Sequence, residues 1–358
     1  MQRYVALDAF RGLTIALMIL VNTPGSWSYV YAPLLHSHWH GVTPTDLVFP
    51  FFMFIVGSAM FFAFRKDQFT LSAPLAKKII KRSGLIFIIG LLLNIYPFIA
   101  PMESWRVMGV LQRIGIAYGF AAFIVLSFQR AKVIVIALLI LVAYPLLLML
   151  AGDGAYRLET NLVRDLDLYL LGASHMYRGL GVAFDPEGIL STLPSIVSVL
   201  IGFEVTRFIS QMTDKKASLI KLIVLAMAGL IIGLIMDSFI PINKSLWTSS
   251  YVIYSAGFAC LTLALFVFVI DIQKIQQPVT PLLIYGTNPL FIYVLSWLWV
   301  ASYSLFDVAN VPLNQWMFNS LAALMPEKLA SFVFALMHVV LFGWFSKLLF
   351  DRKIFIKI

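Results

Sequence analysis

Val133-Ile-Val-Ile-Ala-Leu-Leu-Ile-Leu-Val-Ala-Tyr-Pro-Leu-Leu-Leu-Met-Leu-Ala151 runs for nineteen residues without a charged side chain. A helix of about 20 apolar residues crosses the hydrocarbon core of a bilayer, so this stretch reads as a membrane span. Nine similar runs lie along the chain, at 12–31, 47–64, 83–100, 107–127, 189–208, 219–240, 250–270, 281–302 and 329–349. Composition agrees. Of 358 residues, 61% are hydrophobic and 12% charged, with a mean hydropathy of +0.92; a soluble domain carries about 25% charge. The expected fold is all-α: one polytopic membrane domain over residues 1–358, with about ten transmembrane helices.

An even number of spans puts both termini on one side. Of the 26 Lys and Arg residues, nineteen fall on that side, among them Arg65, Lys66, Lys77, Lys78, Lys81, Arg82, Lys215, Lys216, Arg352 and Lys353. Seven fall on the other side or inside a span near it: Arg106, Arg113, Arg157, Arg164, Arg178, Lys244 and Lys328. The positive-inside rule then makes both termini cytoplasmic and places the loop between the first two spans outside. The net charge of +9 is therefore a topology signal. No aromatic–basic interleaving or zinc-finger spacing supports nucleic-acid binding. The single cysteine, Cys260, excludes an intramolecular disulfide, and no cleavable signal peptide is expected. Two outer loops are long, about 152–188 and 303–328, and loops of such length are more often functional than plain connectors.

The outer loop after the first span contains His36-Ser-His38-Trp39-His40-Gly-Val-Thr43-Pro-Thr-Asp46. Three of the five histidines lie within five residues. Histidine exchanges protons near neutral pH, and ionisable groups at a membrane boundary are costly unless used. Three readings stay open: a metal site, an interfacial anchor with Trp39 in the aromatic belt, or general acid–base and nucleophilic work. In the last, Asp46 and Thr43 orient one imidazole through its second nitrogen. Zinc needs three or four ligands in set geometry, and no second cluster supplies them.

Other polar motifs carry paired readings. Asp8-Ala-Phe-Arg11-Gly12 is either a positive-inside anchor or a guanidinium aimed at an anion. Asn22-Thr-Pro24-Gly25 breaks a helix where the Asn22 amide meets either a neighbouring helix or a cavity. Arg113, inside a span, needs an ion-pair partner or an anionic ligand. Asp185-Pro-Glu187-Gly188 reads as a helix start or as two carboxylates awaiting a cationic or hydroxyl-rich substrate. Asn243-Lys244-Ser-Leu-Trp247 is a turn with a Trp anchor or a polar lid. Gly286-Thr-Asn288-Pro289 is a proline-interrupted entry to the ninth span.

These motifs, taken in order, resemble the heparan-alpha-glucosaminide N-acetyltransferase family of transmembrane acyltransferases. The matching pattern is Asp-x-Phe-Arg-Gly, Val-Asn, His-x-x-Trp-[His/Asn]-Gly-x-Thr-x-x-Asp-Leu-Val-Phe-Pro, Val-Leu-Gln-Arg, Asp-Pro-Glu-Gly and Asn-Lys-x-Leu-Trp, from Ala6 to about Asn288. The resemblance implies acetyl transfer from cytoplasmic acetyl-CoA, as co-substrate, to the amine of a glucosamine-type sugar on the periplasmic side. It places the catalytic histidine at His36 and the active-site asparagine at Asn22. The Asn-Thr-Pro-Gly sequence departs from the glycines that usually follow that asparagine. The animal enzyme's lumenal domain and leading span have no expected counterpart.

The reading is a bacterial inner-membrane acyltransferase. His36, Asn22 and Asp46 are the expected catalytic residues, with His36 either taking the amine's proton or carrying the acetyl group itself. Arg11, Arg113 and Asn288 are expected on acetyl-CoA. His40, Asp185, Glu187, Asn243, Lys244 and Trp247 are expected on the sugar. No metal and no nucleic acid is expected; lipid surrounds the protein, and a homodimer is left open. The competing class is an amino-sugar transporter without group transfer; a sensor or scaffold is the third.

Overall fold

The computed structural model describes residues 4–275 and 277–356. In chain order the helices are α1 (Val5–Asn22), α2 (Val48–Phe64), α3 (Ala73–Ile95), α4 (Val110–Ser127), α5 (Arg130–Leu148), α6 (Leu162–Leu170), α7 (Thr192–Ser210), α8 (Lys215–Asp237), α9 (Ser249–Phe266), α10 (Thr280–Tyr285), α11 (Pro289–Ser302), α12 (Leu313–Ala322) and α13 (Glu327–Asp351). A two-stranded antiparallel hairpin, β1 (Asp307–Val308) and β2 (Val311–Pro312), precedes α12. The all-α membrane architecture read from the apolar runs is borne out.

Among the described residues eight helices are long and apolar enough to cross a membrane: α1, α2, α4, α5, α7, α8, α9 and α13. The segments 277–285 and 289–305, containing α10 and α11, make a ninth if taken as one span bent by 73°. The tenth expected span is α3. It has 23 residues, but Lys77, Lys78, Lys81 and Arg82 occupy its first half. Only its second half is apolar, so its cationic stems must reach toward headgroups if it enters the bilayer. The first span also differs from expectation, covering 5–22 where 12–31 was read. Proline disfavours helical geometry in the residue before it; Thr23, before Pro24, leaves the helix at φ −127°, ψ 47°.

Within the described residues the chain divides into two compact units. One holds 4–37, 43–49 and 265–356; the other holds His38–Val42 and Pro50–Ala264. In the first, α1 packs against α10, α11 and α13, and α12 lies on α13. A Cβ on Gly12 would sit 1.7 Å from the Leu282 carbonyl oxygen, and one on Gly286 would sit 2.4 Å from that of Asp8. The backbones of α1 and α10 therefore touch, which only glycine at both positions allows.

In the second unit α4 packs on α3 and α7, and α5 on α7. Helices α2 and α7 meet through Gly57 and Gly202, where added Cβ atoms would sit 1.9 Å from the Val199 carbonyl and 2.0 Å from the Phe54 carbonyl. Small residues are the usual means of close helix approach in lipid. The spans containing α7 and α4 are 72% and 67% buried, whereas those of α5 and α8 are 22% and 17% buried. The exposed faces of α5 and α8 show Ile134, Leu138, Val142, Ile220, Val224 and Ile231. Apolar side chains on that scale are stable against acyl chains and not against water. The buried spans carry the polar groups, including Arg113, Ser195, Ser198 and Thr206.

Candidate active site

His36 and Asp46 are brought together by the loop between α1 and α2. After Pro24 the chain is tied to α13: the Gly25 N–H donates to the Ser331 carbonyl (3.3 Å) and the Ser26 N–H to the Ser331 hydroxyl (3.2 Å). A 3-10 turn at Ala32–Leu34 then meets a second at Pro44–Leu47, and the Thr45 hydroxyl donates across to the Pro33 carbonyl (3.1 Å). The second turn opens as a capping box: Pro44 stands at the first position, and Asp46 accepts the N–H of Thr43 at 2.9 Å. This capping role was not among the readings of the loop's sequence.

Asp46 does more than cap. Its side chain is 1% exposed. Oδ2 accepts from the backbone N–H groups of Thr43 and Ser37 (3.0 Å), and Oδ1 lies 2.7 Å from His36 Nδ1. The Thr43 hydroxyl lies 2.7 Å from the Leu35 carbonyl and 3.1 Å from Oδ2. A carboxylate ringed by donors is an ionised acceptor, so His36 Nδ1 carries the hydrogen and donates it to Asp46. Proton exchange then falls to Nε2. The imidazole is 45% exposed, so one edge is fixed by protein while the ring remains accessible. An oriented, accessible imidazole of this kind has the chemistry a general base needs.

The other histidines take different positions. His40 is exposed, with Nδ1 3.4 Å from the Asn243 amide nitrogen. Desolvation holds its pKa below the ordinary value, against an opposing pull from Asp237. His338 is buried: Nδ1 donates to the Phe334 carbonyl (2.8 Å), and Nε2 accepts from the Tyr303 hydroxyl (2.7 Å), which in turn accepts from the Trp299 indole (2.7 Å). Among the described residues no group of three or more His, Cys, Asp or Glu is placed to hold a metal ion.

Asn22 is exposed at the last turn of α1, and its amide donates to the Met18 carbonyl (2.9 Å). Arg11 lies two turns inside α1; its guanidinium donates to Asp8 (3.1 Å) and reaches the Gly286 carbonyl (3.4 Å). Asn288 is 1% exposed. Its amide donates to the Ile354 carbonyl (3.0 Å) and accepts from the Ile356 N–H (2.7 Å), clamping the described end of the chain. That side chain is a backbone clamp and not an open ligand contact.

The remaining expected site residues sit in the second unit. Asp185 and Glu187 are buried and already paired with Arg106, a residue the motifs did not single out. Arg106 Nε donates to Asp185 Oδ2 (2.9 Å), and Nη2 donates to Asp185 Oδ1 (2.7 Å) and to Glu187 Oε2 (2.6 Å). Burial opposes the charge on Arg106, but its two carboxylate partners raise its pKa above the usual value. Burial likewise opposes the charge on Glu187, yet Arg106, Arg113 and Lys244 hold its carboxyl below the usual range. The two acids are therefore not open to a cationic substrate. Nor do they start α7, which begins at Thr192; the Glu187 N–H donates to Asp185 Oδ1 (3.0 Å) within a turn of its own.

Arg113 is fully buried in the first turn of α4. It donates to the Ser191 hydroxyl and the Gly188 carbonyl, and lies 5.0 Å over the Trp247 ring. It thus groups with the residues expected on the sugar, and not with Arg11 and Asn288. Trp247 is 1% exposed, and its indole donates to Ser198 (3.1 Å). Asn243 is 0% exposed and fastens 241–248 to the histidine loop: its amide donates to the Trp39 carbonyl (2.8 Å), and Gly41 N–H donates to the Ile242 carbonyl (2.8 Å). Lys244 is half-buried. Asp167 was also missed. It is buried, accepts from the Ile189 N–H (2.9 Å), and has its pKa pushed up to about 7, first by burial.

A polytopic helical membrane protein with a carboxylate-held imidazole between its first two spans has the parts of a membrane-embedded group-transfer enzyme. Comparison with known proteins gives that class a family. Residues 3–161 match the family model described as heparan-alpha-glucosaminide N-acetyltransferase, catalytic. The chain is 30% identical over 352 residues to heparan-alpha-glucosaminide N-acetyltransferase of Homo sapiens, covering 82% of this chain and 52% of that protein. It is 29% identical over 350 residues to the Mus musculus protein of the same name, covering 82% of this chain and 53% of that protein. The chain spans about half the length of the curated relatives it matches. The family resemblance carried by the motif blocks is upheld, and Arg11, Asn22, His36, Asp46 and Arg113 all lie inside the segment matched by the catalytic model.

Proposed function

We propose that this chain is a transmembrane acetyltransferase, moving an acetyl group from cytoplasmic acetyl-CoA to the amine of a glucosamine-type sugar on the periplasmic side of a bacterial inner membrane. The observation that carries the reading is the imidazole of His36, fixed by Asp46 at 2.7 Å within the segment that matches the catalytic family model. Acetyl-CoA supplies the acetyl group as a thioester. The protein's share is proton handling and orientation. As the amine's N–C bond to the acetyl carbon forms, His36 Nε2 accepts the amine's proton and the Asp46 carboxylate stabilises the imidazolium; the thioester C–S bond then breaks and the CoA thiolate leaves with that proton. Asn22, exposed at the end of α1, is the proposed donor to the developing oxyanion.

Arg11 suits an anionic portion of acetyl-CoA, since a guanidinium offers five N–H donors. Asn288 supports the same region by clamping residues 354–356. Toward the sugar, His40 and Lys244 are the proposed contacts. Asn243, Trp247, Asp185 and Glu187 hold the framework around them, and Arg113 belongs with that framework.

The test uses full-length protein in detergent with acetyl-CoA and glucosamine, and detects N-acetylated product by mass spectrometry. The parent forms product. His36→Ala abolishes it and His38→Ala leaves it within a few-fold. Equal loss in both variants refutes the assignment. A transporter without group transfer gives no product in detergent from any variant.

A further inference from the structure

At the end of the second unit opposite in loop charge to the histidine loop, a recess of about 670 Å³ lies among the ends of α2, α4 and α7 and the start of α5. Three arginines line it: Arg65 just after α2, Arg130 at the first residue of α5, and Arg207 in the last turn of α7. One carboxylate serves two of them. Glu204 lies 3.0 Å from Arg130 Nε and 2.9 Å from Arg207 Nη1. Arg65 has no ion-pair partner among the described residues. Three guanidinium charges against one carboxylate leave an excess of two positive charges at the recess.

The site is built as well as charged. The Arg207 guanidinium carbon lies over the rings of Phe203 (4.8 Å) and Phe69 (5.4 Å), and its Nη1 is on Glu204, so the side chain is held in place. The Ser210 hydroxyl, which also lines the recess, is buried without a hydrogen-bond partner among the described residues. Phe61 and Phe69 give the recess an apolar wall. Guanidinium forks match phosphate oxygens geometrically, and the volume exceeds what a bare phosphate fills. The arginines stand at span ends on the side that the loop charges assign to the cytoplasm, the level of lipid headgroups.

We infer that this recess binds the phosphate of an amphiphilic or aromatic ligand, through Arg65, Arg130 and Arg207. Two sources share that chemistry: an anionic phospholipid headgroup, and the phosphate-rich nucleotide end of a coenzyme such as CoA. The inference is independent of acetyl transfer, because its readout is binding.

Full-length protein in neutral detergent is titrated with short-chain phosphatidylglycerol, with phosphatidylcholine of the same chain length, and with adenosine 3′,5′-bisphosphate. Binding is followed by native mass spectrometry and by thermal shift. Phosphatidylglycerol or the bisphosphate should bind in preference to phosphatidylcholine. The Arg65→Gln/Arg130→Gln double variant should weaken that binding at least tenfold, and Arg130→Lys should weaken it less. Arg82→Gln, a basic residue on the same side that stacks on Tyr118, should bind like the parent. Preference for phosphatidylglycerol alone identifies a lipid site, and preference for the bisphosphate alone identifies a nucleotide site. The inference is overturned if neither phosphate probe binds, or if the double variant, eluting as the parent does, binds as tightly as the parent or as Arg82→Gln.

Discussion

Replacing Asp46 by Asn tests the catalytic reading most directly, because the geometry dictates which way the new amide must turn. Oδ2 accepts two backbone N–H groups, from Ser37 and Thr43, whereas Oδ1 lies against His36 Nδ1. The asparagine oxygen therefore takes the Oδ2 position, and its NH₂ group turns toward Nδ1. Two donors cannot face each other, so Nδ1 becomes an acceptor and the imidazole hydrogen moves to Nε2. That nitrogen then holds a proton when it should accept one. General-base assistance is worth about 10²–10⁴ in rate, so kcat should fall by that factor, about 3–5 kcal/mol of barrier. Asp46 is 1% exposed and acts through His36, so KM for acetyl-CoA should change less than threefold. The cap survives through the amide oxygen, and the lost charge costs about 1–2 kcal/mol of stability.

Asp46→Glu separates the two roles of the carboxylate. Glutamate is the preferred partner at this position of a capping box, so melting in detergent should stay close to the parent. The carboxylate, however, moves by about one C–C bond, ~1.5 Å, and a 1 Å misplacement can cost about 100-fold in rate. The assay is thiol release from acetyl-CoA with glucosamine as acceptor, beside thermal unfolding. A folded Asp46→Asn protein with the parent's kcat, or an Asp46→Glu protein that loses stability and keeps activity, would show that Asp46 is only a cap.

Arg106→Gln leaves Asp185 and Glu187 buried without their cation, which should cost about 3–5 kcal/mol and lower the melting temperature markedly; an unchanged melt would mean the cluster is solvated. Gly12→Ala places a methyl group against the Leu282 carbonyl, so it should reduce the yield of monodisperse protein and the melting temperature, whereas an alanine accommodated without change would contradict the α1–α10 contact. Asp167 has its pKa pushed up to about 7 from 3.8, so the folded protein holds this proton more tightly than the unfolded chain; the contribution is fully present below about pH 4 and is lost as pH rises through about 7. Asp167→Asn should therefore flatten the fall in melting temperature between pH 5 and 8, and an identical pH slope in parent and variant would refute it.

What could be read from the sequence was what is local. Apolar runs marked the spans, since a bilayer imposes one length on every helix. The His36–Asp46 pair was legible because ten residues of short loop hold both partners. The misses are long-range. Arg106 meets Asp185 and Glu187 across 79 and 81 positions, and nothing in spacing announces such a pairing. Asn288 is occupied by backbone groups 66 and 68 residues away, so its apparent availability was an effect of reading it alone. The first span was misplaced because hydropathy continues past Asn22, while the backbone rule at Pro24 ends the helix. A weak signal for Arg106 did exist: three acids at 167, 185 and 187 in one outer loop needed buried cations if they were to be buried themselves.

In the histidine loop one carboxylate serves both the turn that leads into α2 and the imidazole of His36. The second span must start somewhere, and the first N–H groups of a helix need acceptors. Thr43 takes the backbone N–H of Asp46, and one face of the Asp46 carboxylate takes the N–H groups of Thr43 and Ser37 in return. The other face of the same carboxylate lies against His36, and a carboxylate near a helix N-terminus is further stabilised by the helix dipole. A buried carboxylate that would be costly in lipid is thus placed where a helix start favours a negative charge, and the imidazole gains a fixed acceptor. This explains why the pair sits at the mouth of a span and not within one. An imidazole at mid-span would have to bury its own counter-charge; at the helix start the capping carboxylate provides it, and the imidazole stays accessible.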